Sequence, residues 1–201
     1  RPVPEHLLPT DIAKLIRASL RHDAERLSLT REEKARGLRR GEGATPKYDP
    51  IAPYLVTVLL SGMREDEARS LQWDRVNLDA PPAGVITLRP EDVKTKIGRQ
   101  VDLAVSPLLR QTLRALKVRA GSAALVFGAL SRGKVEAARK RLIRDYGAPA
   151  FTWQMLRSTC GTYLANSNIW GGASAWREAR QLGHSVLVAE RHYLNVVLDV
   201  P

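Results

Sequence analysis

Cysteine is nearly absent from this chain: Cys160 stands alone, so no internal disulfide can form, and no Cys/His cluster has the spacing of zinc ligands. A reducing compartment and a fold without structural metal are therefore expected. Long apolar runs are missing too. None approaches the roughly 20 residues that a membrane span requires, and the N-terminus lacks the charged-then-apolar pattern of a secretion signal. There is no internal repeat or low-complexity tract, and no carboxylate cluster of the kind a two-metal nuclease uses. These absences argue against a disulfide-stapled secreted module, a membrane protein, a solenoid and a metal-dependent nuclease. They lead to the expectation of a cytoplasmic protein with no cofactor and no membrane partner.

Acidic residues are in the minority, 21 Asp and Glu against 32 Lys and Arg, for a net charge of +11 over 201 residues. Such a balance suits a protein that neutralises phosphates, so nucleic acid leads the expected partners. The length fits one domain of ordinary size. The chain opens at Arg1 rather than Met, which is expected of a cut fragment from which a preceding domain is missing.

Periodicity predicts a helix-dominated α+β fold. Ile12, Leu15, Ile16 and Leu20 have helical spacing behind Thr10, which marks an amphipathic helix over Pro9 to Leu20. Residues 21–48 are rich in charge and glycine, with Arg36, Arg39 and Arg40 close together, and read as a polar helix or mobile insertion. Asp49 as cap and Pro50 in the first turn open an apolar helix from Ile51 to Leu60. A second helix is expected over Glu65 to Gln72, then strands at Val85–Leu88 and Gln100–Leu103. Ser106-Pro107 and Ser131 each start a further helix, and residues 153–166, 174–182 and 186–193 complete the set. The small antiparallel sheet is thus inserted among helices. Trp73, Trp153, Trp170 and Trp176 read as core or groove-lining residues, and Cys160 as small core packing.

Five segments carry the chemistry. The first is Ser61-Gly62-Met63-Arg64-Glu65-Asp66-Glu67, followed by Leu71, Trp73, Asp74 and Val76. The second is the basic turn Lys94-Thr95-Lys96-Ile97-Gly98-Arg99 leading into Val101 and Leu103. The third is Gln154-Met155-Leu156-Arg157, the fourth Leu182-Gly183-His184-Ser185, and the fifth Tyr193, nine residues beyond His184. Each alone has an ordinary reading: a surface arginine, a basic hairpin, a histidine at a helix end, a half-buried tyrosine. In this order and spacing they resemble the tyrosine recombinase, or phage integrase, family, over nearly the whole chain from residue 9 onward.

The resemblance implies an integrase-type catalytic domain spanning 1–201, with Tyr193 as nucleophile and Arg64 and Arg157 as catalytic arginines. Glu67 would hold Arg64 and its helix start in register. Lys94 would be the hairpin lysine acting as general acid, with Lys96 on the same loop as the alternative, and Lys96 and Arg99 would contact DNA. His184 would hydrogen-bond a phosphate oxygen. The family's histidine is replaced by Gln154, the departure from its pattern that matters. Physics supports such a set. Attack on a phosphodiester builds charge on two non-bridging oxygens, which planar guanidinium groups match with paired charge-assisted bonds. A tyrosine with an ordinary pKa near 10 is a weak nucleophile unless cations stabilise its phenolate. Gln154 can hydrogen-bond but cannot hold a proton, which predicts a slowed enzyme.

The implied reaction is metal-free transesterification on double-stranded DNA, by a homotetramer that is monomeric as an isolated fragment, with an N-terminal DNA-clamping domain absent. The apolar tail Leu194, Val196, Val197, Leu198 and Val200 would dock on a neighbouring subunit or on its own domain. Two alternatives stand beside this reading: a catalytically weakened DNA-binding relative, and a DNA-relaxing enzyme of the type IB topoisomerase kind.

Overall fold

The computed structural model describes residues 5–26, 50–166, 175–185 and 187–188. Tyr193, Trp170, the arginines of 36–40, Asp49 and the tail from 189 lie outside them. Two compact units emerge, one formed by Pro9–Ala52 and Leu130–Ala150, the other by Arg1–Leu8, Pro53–Ala129 and Phe151–Pro201.

In the smaller unit, helix α1 (Pro9–Arg26) packs on α5 (Arg132–Tyr146). Leu15 and Ala18 are buried on α1, as are Val135, Ala138 and Leu142 on α5; of the expected stripe only Leu15 is fully buried, Ile12 and Ile16 are half-buried, and Leu20 is 57% exposed. α1 continues six residues past Leu20, through what the sequence suggested was the start of the polar segment. His22 explains the extension, since its ring is buried and meets the edge of Tyr146, while Arg21 lies over the same ring. Asp23 adds a long-range cap. Its Oδ1 accepts the Ile51 N–H at 3.0 Å and its Oδ2 the Ala52 N–H at 2.8 Å, satisfying donors that a helix start leaves without partners. α5 is closed by Gly147 in the left-handed region at φ 70°, with Ala148 donating to the Leu142 carbonyl.

The larger unit is built on two apolar helices, α2 (Ala52–Ser61) and α6 (Trp153–Asn166). Both are buried nearly all round, and an edge-to-face aromatic cluster of Tyr54, Phe127, Phe151 and Trp153 fills the space beside them. Helix α3 is short (Glu65–Arg69) and stops before Gln72, because Leu71 and Trp73 turn inward. The Leu71 carbonyl then accepts from Val126, and Trp73 donates to Ala124.

A three-stranded antiparallel sheet follows, β1 (Val76–Asn77), β2 (Val85–Leu88) and β3 (Arg99–Asp102), in that spatial order. β1 was not expected; at two residues it is too short to show alternation. β3 begins one residue earlier than expected, at Arg99, which pairs with Leu88. α4 (Pro107–Ala120) opens on Ser106, whose Oγ accepts from Leu109, and Ser131 caps α5 in the same way from Lys134. α7 (Ala175–Leu182) ends at Gly183. No described helix is long and apolar enough to cross a membrane.

Replacing Asp23 by alanine removes the acceptor for two helix-start N–H groups and should cost about 1–2 kcal/mol. Urea denaturation of the variant beside the parent chain, at constant m-value, measures it.

Candidate active site

Arg64 is the residue that precedes α3, and its backbone is extended, with φ −68° and ψ 155°. Its N–H is bonded 2.8 Å from Glu67 Oε2, the reach-back of a helix's third residue to its cap. Arg64 Nη1 also donates to Glu67 Oε1 at 3.0 Å. One carboxylate thus holds both ends of Arg64, whose side chain keeps 31% of its surface exposed.

The other side of Glu67 is taken by Arg99. Nη1 donates to Oε1 at 3.1 Å and Nη2 to Oε2 at 2.6 Å, the parallel fork that a guanidinium makes with a carboxylate. The two side chains are only 5% and 3% exposed. Burial alone would raise the Glu67 carboxyl; the Arg99 bonds and charge, then the Arg64 hydrogen bonds, outweigh it and hold the pKa at about 2. Arg99 Nε donates to the Gln181 carbonyl at 3.1 Å. Gln181 in turn accepts the Asp102 N–H on Oε1 at 2.9 Å, which fastens α7 to β3.

Arg157, on the second turn of α6, is also buried. Nη1 donates to the Gly62 carbonyl and Nη2 to the Leu182 carbonyl, the latter at 2.6 Å. These carbonyls belong to the C-terminal ends of α2 and α7, where the peptide dipoles leave partial negative charge. The backbone at both places requires glycine. Gly62 has φ +66° and Gly183 φ +73°; an added Cβ would stand 2.7 Å from Leu182 Cδ1 at the first and 2.5 Å from Arg99 Cδ at the second. Leu182 packs with Cys160 and Leu164 in a small buried cluster.

His184 follows that turn. Its N–H and that of Gly183 both donate to the Ala179 carbonyl, and its Nδ1 lies 3.3 Å from the Ser185 carbonyl. A recess of about 510 Å³ opens here, between Ile97, Gln100, Arg180 and His184. The turn carrying Lys94 and Lys96 is anchored at its root, where Val93 is buried and Asp92 accepts from Arg75 Nε at 2.9 Å and from the Arg89 N–H. Beyond the root, Lys94 and Lys96 are exposed, Lys96 in the left-handed region at φ 56°. Gln154 is exposed near the start of α6, one turn before Arg157.

Bonded contacts therefore connect Arg64, Glu67, Arg99, Arg157 and the Gly183–His184 turn. Among the described residues they do not include Lys94, Lys96 or Gln154, and Tyr193 lies outside the described residues. Arg99, expected to contact DNA, is bonded to Glu67 and to the Gln181 carbonyl and lines the recess beside Gly183 and His184. Gln181 was missed altogether. The signal for Arg99 was strand phase: with β3 extended to residue 99, it falls on the face of buried Val101.

No family model matches the chain, and no curated protein sequence matches it. Solved structures do. XerH site-specific recombinase bound to difH substrate is 16% identical, with TM-score 0.60 over 94% of this chain and 50% of that one. The Tn1549 transposon integrase in complex with a circular intermediate DNA is 15% identical, with TM-score 0.65 over 99% and 64%. The catalytic domain of bacteriophage HP1 integrase is 18% identical, with TM-score 0.55 over 94% and 86%. This chain spans half the length of the XerH chain it matches. Its fold is that of the integrase catalytic domain, as the α+β expectation implied.

Glu67→Gln would leave Arg99 buried without its countercharge and should cost about 3–5 kcal/mol by denaturant unfolding. A proton does the same more gradually. Because the folded pKa lies below the ordinary value of 4.5, the carboxylate's contribution is complete above that value and is lost as pH falls toward about 2. It amounts to something on the order of 3 kcal/mol. Stability measured across that window should fall in the parent chain and fall less in the Gln variant.

Proposed function

We propose that this chain is the catalytic domain of a tyrosine recombinase, cutting and rejoining double-stranded DNA through a covalent link to Tyr193. One observation supports the reading above the rest. On an integrase catalytic fold, Arg64, Arg157 and the Gly183–His184 turn, far apart in sequence, are drawn into one bonded network.

In this reading the Tyr193 hydroxyl oxygen attacks a backbone phosphorus and its proton passes to water. The new O–P bond forms as the P–O5′ bond breaks. Lys94, or Lys96, gives a proton to the departing 5′ oxygen, leaving a 3′-phosphotyrosyl link and a free 5′-hydroxyl. Attack by a second 5′-hydroxyl reverses the step. The bond exchange conserves energy, so no ATP enters it, and the guanidinium groups take the charge-stabilising part that a divalent cation plays elsewhere. Arg64 and Arg157 stabilise the charge on the non-bridging oxygens, each terminal guanidinium nitrogen carrying two N–H groups, and His184 bonds a phosphate oxygen. The working form is a tetramer on two duplexes.

Gln154 favours a second reading, a DNA-binding relative that has lost cleavage. Its amide can bond phosphate but cannot take up a proton. Preorganised cations supply the larger effect, and a positioned acid or base adds about 10²–10⁴-fold. A slow enzyme is therefore favoured over a silent one.

A nicked, random-sequence duplex library tests the proposal, because the short strand freed by attack diffuses away and leaves protein joined to DNA. Without metal, the parent chain should yield a denaturation-resistant adduct and Tyr193→Phe none, while Gln154→His should form it at least about 10²-fold faster. DNA binding with no adduct from either the parent or Gln154→His would establish the silent relative. Affinity for duplex should also fall steeply between about 50 and about 200 mM salt, as released counterions require; a flat salt series would count against DNA as partner.

A further inference from the structure

Resting on the recombinase reading, we propose that Arg99 is a positioning residue for the chemical step: it fixes Arg64 and the Gly183–His184 turn relative to each other and makes no contact with DNA. Its three bonded atoms have separate tasks. Nη1 and Nη2 clamp the carboxylate that bonds both the backbone and the side chain of Arg64. Nε holds the Gln181 carbonyl, three residues before His184. Its Cδ fills the space where any Cβ on residue 183 would have to go, so the Gly183 backbone lies directly on the arginine's stem. β3 supplies the rigid base: Arg99 pairs with Leu88 across the sheet, and Gln181 bonds the Asp102 backbone three residues along the same strand.

The arrangement uses what is particular to arginine. Lysine has the charge, but a compact ammonium cannot make the two parallel bonds to Glu67 and the third to Gln181 together. Arg99→Lys therefore keeps the countercharge of the buried carboxylate while releasing the geometry. A displacement near 1 Å of a catalytic group costs on the order of 10²-fold.

Single-turnover adduct formation on the nicked library separates the possibilities, since it gives a rate constant for competent molecules apart from the fraction that is competent. Duplex affinity is measured beside it. For Arg99→Lys the rate constant should fall about 10–10²-fold, with affinity and its salt slope unchanged, since a lost phosphate contact would lower that slope by about 1. Should Arg99→Lys fail to fold, Arg99→Gln, which keeps one N–H for Glu67, should show the same selective loss of rate. An unchanged rate constant with reduced amplitude would mean a purely structural arginine, and weakened affinity with a reduced salt slope would mean a DNA contact; either overturns the proposal alone. No Tyr193-dependent adduct from either the parent chain or Gln154→His would overturn the recombinase reading, and this proposal with it.

Discussion

A single buried carboxylate, Glu67, sets the positions of the residues around it. Two guanidinium groups converge on it, Arg64 from its own helix start and Arg99 from the sheet. Without the negative charge the two cations would repel one another, and Arg99 would be left in the interior with its charge uncompensated. Buried pairs of this kind add little net stability compared with an apolar filling, whereas removing one partner is costly. Glu67 therefore specifies where things are more than it strengthens the fold. From Arg99 the constraint passes to the Gln181 carbonyl, from there to the Gly183–His184 turn, and from the Leu182 carbonyl to Arg157 and back to Gly62. The two left-handed glycines follow from this closeness, because a side chain at either position would occupy space already taken by Leu182 or Arg99.

The same network orders the electrostatics. Arg157 is stabilised by carbonyls at two helix ends, and Arg64 by a carboxylate that stays ionised because two cations outweigh its burial. On the proposed reading, positive charge is in place before substrate arrives, which is the condition under which a protein stabilises a transition state without reorganising. Proton handling differs. Lys94 and Lys96 stand on an exposed turn fastened at its root, and Gln154, exposed on α6, cannot hold a proton. On the proposed reading, the division predicts chemistry limited by proton transfer more than by charge stabilisation.

Much of the fold was legible because its determinants are local. Ser106 and Ser131 each accept from a helix N–H three residues downstream, and Leu15 lies buried on α1 as its spacing implied. What failed to show was nonlocal. The carboxylate bonding Ile51 and Ala52 comes from Asp23, and α1 runs on past Leu20 because of a ring on another helix. At the site, Arg64, Arg157 and His184 could be named from order and spacing, yet their connection could not. Arg99 looked like one more exposed cation in a basic turn, since placing the strand one residue late put it in the loop. Gln181 carries no pattern at all: its role depends on a carbonyl and an amide that only the packed helix brings to β3.

The central claim is that Tyr193 becomes the covalent attachment point for DNA. Protease digestion of the denatured adduct, followed by mass spectrometry of the DNA-linked peptide, tests it most directly. The account predicts that the peptide beginning at His192 carries the nucleotide on Tyr193, joined through the DNA 3′-phosphate. Attachment at another residue, or linkage through a 5′-phosphate, would contradict it.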